Sequence, residues 1–177
     1  VKWLEIGTYE GRSAIWVLEN VLTHKDSSIT CVDKWDDEKV YATFKKNIRA
    51  FTSITSTKSK VTPIRASSRN ALTSPKLLKQ AQQFDVIYID ADHHSASVME
   101  DAVLAFPLLK PGGLLIFDDY TYSKERDNRC PKQAIDAFIN AYAEQVHVKT
   151  ARWQVVVQKL KHPRRRTGCM SEYFDGV

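Results

Sequence analysis

Residues 84–94 read Phe84-Asp-Val-Ile-Tyr-Ile-Asp90-Ala-Asp92-His93-His94. The near-continuous apolar run Phe84–Ile89 marks a strand buried on both faces, and the acids that follow mark its carboxyl end. Such a strand needs helices on both sides, and its flanks supply them. Upstream, Trp3–Ile6, Ile29–Val32 and Val61–Ile64 are further short strand-like runs. Between them the spacing predicts helices over Arg12–Leu22, with Ala14, Ile15, Leu18 and Leu22 on one face, over Glu38–Phe51 and over Arg69–Gln83. Downstream, a helix over Ser95–Leu109, ended by Lys110-Pro-Gly-Gly113, leads to a fifth strand at Leu114–Phe117 and then to a helix over Pro131–Tyr142. The runs Val146–Thr150 and Trp153–Gln158, two residues apart, predict an antiparallel hairpin. Five strand–helix units in series imply an α/β, doubly wound, mostly parallel sheet with helices on both faces.

A length of 177 residues with 43% hydrophobic and 27% charged residues fits one soluble domain and excludes wholesale disorder. We expect that domain over residues 1–158, followed by a basic tail over 159–177. The net charge of +5 is accounted for by Lys159, Lys161, Arg164, Arg165 and Arg166, so it belongs to the tail rather than to the domain. No aromatic residue is interleaved with His162–Arg166, which argues against a nucleic-acid partner bound by base stacking. The longest apolar run, Ala102–Leu109, contains Pro107 and is far short of the ~18 residues that span a bilayer, so no membrane helix is expected. Three scattered cysteines, an odd number, point to a reducing, cytoplasmic setting. The chain opens at Val1 within a strand and without methionine, so a further segment is expected upstream.

In doubly wound sheets ligands bind beyond the carboxyl ends of the strands. Glu5-Ile-Gly7-Thr-Tyr-Glu-Gly11 joins the first strand to the first helix, and its glycines permit a sharp turn and close backbone approach. The loop lacks the glycine spacing of a dinucleotide fingerprint. Asp33 ends the second strand, 28 positions after Glu5, where a carboxylate can accept both hydroxyls of a ribose.

Taken together, Leu4–Gly11, Cys31-Val-Asp33-Lys-Trp35, Phe84–His93 and Leu109–Tyr120 resemble the class I S-adenosylmethionine-dependent methyltransferases. The likeness is to the metal-dependent small-molecule O-methyltransferases of the catechol, caffeoyl-CoA and macrocin type, over roughly residues 1–158. It implies a Rossmann-like fold and S-adenosylmethionine as cofactor, with Glu5 and Gly7 near its methionine part, Gly11 near the turn and Asp33 on the ribose. Trp35 and Ser67 are candidates for the adenine, although core packing is an equal account of Trp35.

Asp90 and Asp92 leave the fourth strand, and Asp118 and Asp119 the fifth. Carboxylates so gathered repel one another unless neutralised, which a hard divalent cation with oxygen ligands would do. By the resemblance, Asp90, which also borders the cofactor, joins Asp118 and Asp119 in holding Mg2+ or a similar ion. The metal would acidify a hydroxyl of a small-molecule acceptor. Asp92 or His93 would take the proton, His93 standing where catechol- and caffeoyl-type enzymes have a lysine. Tyr120–Arg129 is a candidate substrate loop. Rival readings are metal-independent methylation of a nitrogen or a macromolecule, told apart by metal dependence and acceptor size, and a non-catalytic cofactor-binding protein of the same fold. A nicotinamide-binding protein is a further rival that NAD titration would expose. The sequence leaves the oligomeric state open.

Overall fold

A computed structural model describes residues 1–55, 60–122 and 130–164. In chain order these form β1 (Lys2–Ile6), α1 (Arg12–Asn20), β2 (Ser28–Asp33), α2 (Glu38–Thr55), β3 (Val61–Arg65), α3 (Ser68–Leu72), α4 (Pro75–Leu78), β4 (Phe84–Ile89), α5 (Ser95–Ala105), a 3-10 turn (Phe106–Leu108), β5 (Leu109–Phe117), α6 (Pro131–Ala141), β6 (Val146–Ala151) and β7 (Val155–Lys159). One seven-stranded sheet has the order β3-β2-β1-β4-β5-β7-β6. The first five strands are parallel, while β7 runs antiparallel to both β5 and β6. The chain reverses its direction of travel across the sheet between β1 and β4, which is where a doubly wound sheet opens a crevice.

Alternation along the strands divides the core in two. Leu4, Ile6, Ile87 and Ile89 face one layer with Val98, Ala102, Ile135 and Phe138. Trp3, Cys31 and Tyr88 face the other, packed with Ala14, Val17, Leu18, Trp35 and Phe44. In the first layer Phe138 meets Phe106 and Phe117 edge to face, both at 5.6 Å between ring centroids, and stacks on Tyr142 at 4.5 Å.

The structure departs from the sequence reading at punctuation residues. The helix expected over Arg69–Gln83 is two short pieces, because Pro75 offers no N–H to continue the first and instead starts the second, with Ser67 and Ser74 as caps. The helix expected to reach Leu109 stops at Ala105 and tightens through Pro107 into the 3-10 turn. Lys110-Pro-Gly-Gly113 does not lie outside the strand. It forms an irregularity within β5, where the pairing jumps from Phe84↔Leu109 to Val86↔Leu114 and Gly112 adopts φ +87°. In the hairpin Trp153 lies in the turn, since β6 runs through Ala151 and β7 starts only at Val155.

Lys159 is no part of a tail. It ends β7, and its ammonium donates to the carbonyls of Phe106 and Leu109, both at 2.9 Å, where burial lowers its pKa. Leu160 and Arg164 donate backbone N–H groups to Gln145 and Glu144, so the ordered fold runs past the boundary expected at residue 158. Residues 165–177 of the expected tail and 123–129 of the expected substrate loop lie outside the described residues.

Phe138 is fully buried among three aromatic rings. Phe138→Ala is expected to lower unfolding free energy by about 3–5 kcal/mol, read as a lower urea midpoint. A loss under about 1 kcal/mol would show that α6 does not pack as described.

Candidate active site

The loops leaving β1, β2 and β4 are stitched to one another. Gly7 donates its N–H to the Val32 carbonyl and Asp90 donates to that of Ile6, both at 2.8 Å. Gly7 has φ +91°, and a Cβ there would sit 2.0 Å from the Asp90 carbonyl oxygen, so only glycine lets these strand ends meet. Gly11 caps the start of α1 in the left-handed region, and its missing side chain makes room for the ring of Phe44.

Asp33 joins this loop to the next. One carboxylate oxygen accepts from the Tyr9 N–H and the other from the Trp35 N–H, both at 2.8 Å. Trp35 is 1% exposed, and its indole N–H donates to the Tyr9 carbonyl at 2.7 Å. Its ring packs on Tyr41 and Phe44, with centroids 5.0 and 4.5 Å away. So placed it has no free face for an adenine, and it serves to fasten the glycine loop. Ser67 stands exposed beyond β3, its hydroxyl accepting from the Asn70 N–H as the cap of α3.

Glu5 points into the layer covered by α1 and is fully buried. Ser13 donates to its Oε1 at 2.6 Å, while Oε2 has no partner among the described residues; the buried Thr8 hydroxyl bonds with the Cys31 thiol. Burial, opposed by the Ser13 bond and reinforced by Asp90 and Asp33, pushes the Glu5 carboxyl up to about 8. It is neutral at pH 7.

Beyond β4 and β5 the acids converge on a cleft open to solvent and lined by Asp90, Asp92, His93, Asp118 and Asp119 with Val98 and Phe117. Within it, one ligand atom each of Asp90, His93 and Asp119 lies within 4.8 Å of the others. His93 Nε2 bonds to Asp119 Oδ2, and its ring lies 4.8 Å from that of Tyr122. Burial, reinforced by Asp118 and Asp119, pushes Asp90 up to about 7.

Asp118 and Asp92 are engaged elsewhere. Asp118 accepts from the Tyr88 hydroxyl, from Gln154 Nε2 at 3.2 Å and from the Asp119 N–H at 2.8 Å. Burial and the Asp118 carboxylate push the Tyr88 phenol far up, so it remains a donor. Asp92 lies at the start of α5, where it accepts from the N–H groups of His93 and His94, from His94 Nδ1 and from the Ser97 hydroxyl. Partial burial raises its pKa, but these bonds outweigh it and bring the carboxyl down to about 2, which makes Asp92 a weak base.

Sequence reasoning missed Tyr88 and Gln154. A tyrosine in a buried strand announces a hydroxyl that needs a partner, so Tyr88 carried a signal. Gln154 carried none, because its contact with Asp118 spans 36 positions. Asp101 on α5 is also buried and pushed up to about 6, by burial first, yet it faces α3 rather than the cleft.

A family described as a methyltransferase domain matches residues 4–120, and the chain belongs to that family. An uncharacterised protein of Acanthamoeba polyphaga mimivirus, R132, is 28% identical over 120 residues, covering 67% of this chain and 51% of that one. The chain thus spans about half the length of this curated relative. Among solved structures, an O-methyltransferase of Bacillus cereus in complex with SAH shares the fold at a TM-score of 0.68 and 20% identity, over 90% of this chain and 74% of that one. MycE, a methyltransferase of the mycinamycin biosynthetic pathway in complex with Mg and SAH, does so at 0.63 and 15% identity, over 100% of this chain and 49% of that one. Among the described residues no helix is long and apolar enough to cross a membrane.

The Glu5 proton gives a signed pH dependence. The folded protein keeps it to about pH 8, while the unfolded chain releases it near the ordinary value of 4.5. Between these values the unfolded state binds fewer protons, so stability falls as pH rises, by roughly 1.4 kcal/mol per unit from this group. Glu5→Gln keeps an acceptor for Ser13 and removes that fall. Its melting temperature is expected to exceed the parent's at pH 8 by more than at pH 5; equal differences at both would contradict a buried neutral carboxyl.

Proposed function

We propose that this domain transfers a methyl group from S-adenosylmethionine to a hydroxyl of a small-molecule acceptor, with a divalent cation at the acidic cleft. The observation that carries the reading is the pairing of the glycine loop with Asp33 through the Tyr9 N–H, directly across the β1/β4 crevice from that cleft. Membership of the methyltransferase domain family supports it, as do the SAH and Mg bound by neighbours of the same fold.

The residues at the loop suit the cofactor. Asp33 is held at both oxygens by backbone N–H groups, and each oxygen retains a lone pair for a ribose hydroxyl. The unpartnered Glu5 Oε2 lies under the same loop, as a polar group does where a ligand or water completes the bonding. The donors at the cleft are carboxylates and an imidazole, a set that suits a dication.

When bound, the cofactor supplies an electrophilic methyl group on a sulfonium, and the cation supplies a Lewis acid that makes an acceptor hydroxyl more acidic. Asp33 fixes the ribose end, and the Gly7–Gly11 turn lets the backbone approach the methionine end. Val98 and Phe117 form an apolar wall against the acceptor. With the cation held by the carboxylates, the acceptor's proton would pass to the His93 imidazole at the same cleft. Asp92, held at about 2, orders the start of α5 instead.

Calorimetric titration with S-adenosylhomocysteine tests the reading. One-to-one binding is expected, weakened at least ~10-fold by Asp33→Ala, the loss anticipated for charge-assisted hydrogen bonds. No binding to folded protein would refute it.

A further inference from the structure

We propose that Arg65 is a positioning residue for cofactor binding, which from the end of β3 holds the loop after β2 in the conformation that presents Asp33 to a ribose. This rests on the reading of Asp33 as the ribose acid, and it gives Arg65 no contact with the cofactor itself.

The backbone around Asp33 is held against its own preference. Tyr9 and Trp35, whose N–H groups each take one Asp33 oxygen at 2.8 Å, lie in the left-handed region at φ +49° and +42°. Bulky side chains are disfavoured there, so such conformations persist only where the surroundings fix them. The Trp35 indole N–H, on the Tyr9 carbonyl at 2.7 Å, ties the two residues to each other. Asp33, Tyr9 and Trp35 thus form a closed ring of bonds between two loops.

Arg65 holds that ring from a third element. Pairing of β2 with β3 sets it level with Asp33, and the adjacent Ala66 donates its N–H to the Asp33 carbonyl at 2.9 Å. From this place the guanidinium Nη2 donates to the Trp35 carbonyl at 2.7 Å. With its N–H on Asp33 and its carbonyl on Arg65, the Trp35 backbone is fixed on both sides. Release of Trp35 to negative φ would swing its N–H off Asp33 and remove one of the two donors that orient the carboxylate.

The guanidinium is itself aimed. Nη2 also meets Glu38 Oε1 at the start of α2, and its central carbon lies 4.8 Å from the centre of the Tyr41 ring, which packs on Trp35. A planar guanidinium serves a carbonyl, a carboxylate and a ring face together, as an ammonium does not. The pair with Glu38 is open to solvent, the two side chains being 38% and 72% exposed, so as an ion pair it contributes little. The directed bond to Trp35 is what sets Arg65 apart from a surface charge.

The test is calorimetric titration of the whole chain with S-adenosylhomocysteine, in the parent, Arg65→Met, Arg65→Ala and Glu38→Ala. Arg65→Met keeps an unbranched stem against Tyr41 and removes every donor, and urea unfolding shows which variants are folded. Both Arg65 variants are expected to bind about 5-fold more weakly, the effect of one hydrogen bond, and Glu38→Ala within ~2-fold of the parent. In the Asp33→Ala background, Arg65→Met should cost no further affinity, because it acts through Asp33. Hydrogen exchange followed by NMR should show the Trp35 amide exchanging at least ~5-fold faster in Arg65→Met, with the β1 amides unchanged. A folded Arg65 variant that binds within ~2-fold of the parent overturns the proposal. So does an equal loss with and without Asp33, which would mean that Arg65 touches the cofactor directly, or a loss with Trp35 exchange unchanged. Failure of the folded parent to bind at all overturns the functional reading beneath it as well, whereas parent binding that is indifferent to Arg65 overturns this proposal alone.

Discussion

The approach of Gly7 to the carbonyl of Asp90 is the constraint on which the rest of the site depends. A side chain there would lie 2.0 Å from that oxygen, so the ends of β1 and β4 can meet only because position 7 has none. With the two strands in contact, Asp90 donates to Ile6 and Gly7 to Val32, and three loops leave the sheet at one level. The β1/β4 crevice is also where the order of the strands reverses, so no crossover covers it. What lies on either side follows from this junction. The glycine loop and Asp33 stand on the β2 side, and the acids of β4 and β5 stand on the other.

Strand pairing then decides which polar groups are buried. Glu5 is in register with Cys31 on one side and Tyr88 on the other, so the three share a row under α1 and α2. Each solves its desolvation differently. Glu5 keeps its proton and one bond from Ser13. Cys31, whose thiol is pushed up by burial, stays neutral. Tyr88 reaches out of the layer to Asp118 and so converts a core position into support for the cleft. The neutrality of the row matters, because a second negative charge beneath the loop would oppose Asp33 and Asp90 above it.

The strands were legible because parallel strands buried on both faces are apolar runs, and Phe84–Ile89 coincides with β4. The glycine loop was legible because a turn that must come so close leaves a residue type in the chain. Punctuation was harder to read. Lys110-Pro-Gly-Gly113 has the composition of a turn but is spent on an irregularity inside β5, since glycine serves both purposes. Trp153, with strand propensity, is placed in the turn because the pairing of Ala151 with Val155 leaves three residues between the strands. Trp35 looked equally able to face a ligand or the core, and only the packing of Tyr41 and Phe44 from α2 decides between these. The acids were visible as a group. Which of them face one another was not, because that depends on Tyr88 and Gln154 claiming Asp118, contacts made across 30 and 36 positions.

Asp90 and Asp92 show why a cluster of acids is not one electrostatic object. They are two residues apart, yet one carboxyl is pushed up to about 7 and the other down to about 2. Asp90 is the more buried and faces Asp118 and Asp119, so its charged form is opposed both by lost hydration and by like charge. Asp92 has turned outward onto the start of α5, where N–H groups and the Ser97 hydroxyl stabilise its charged form. Asp90 is the first residue past β4, while Asp92 lies further along the five-residue link to α5, and that progress away from the strand end separates the environments. Asp90 is left as an acid that can hold or release a proton near neutrality, or meet a cation, while Asp92 fixes the loop from which His93 reaches Asp119.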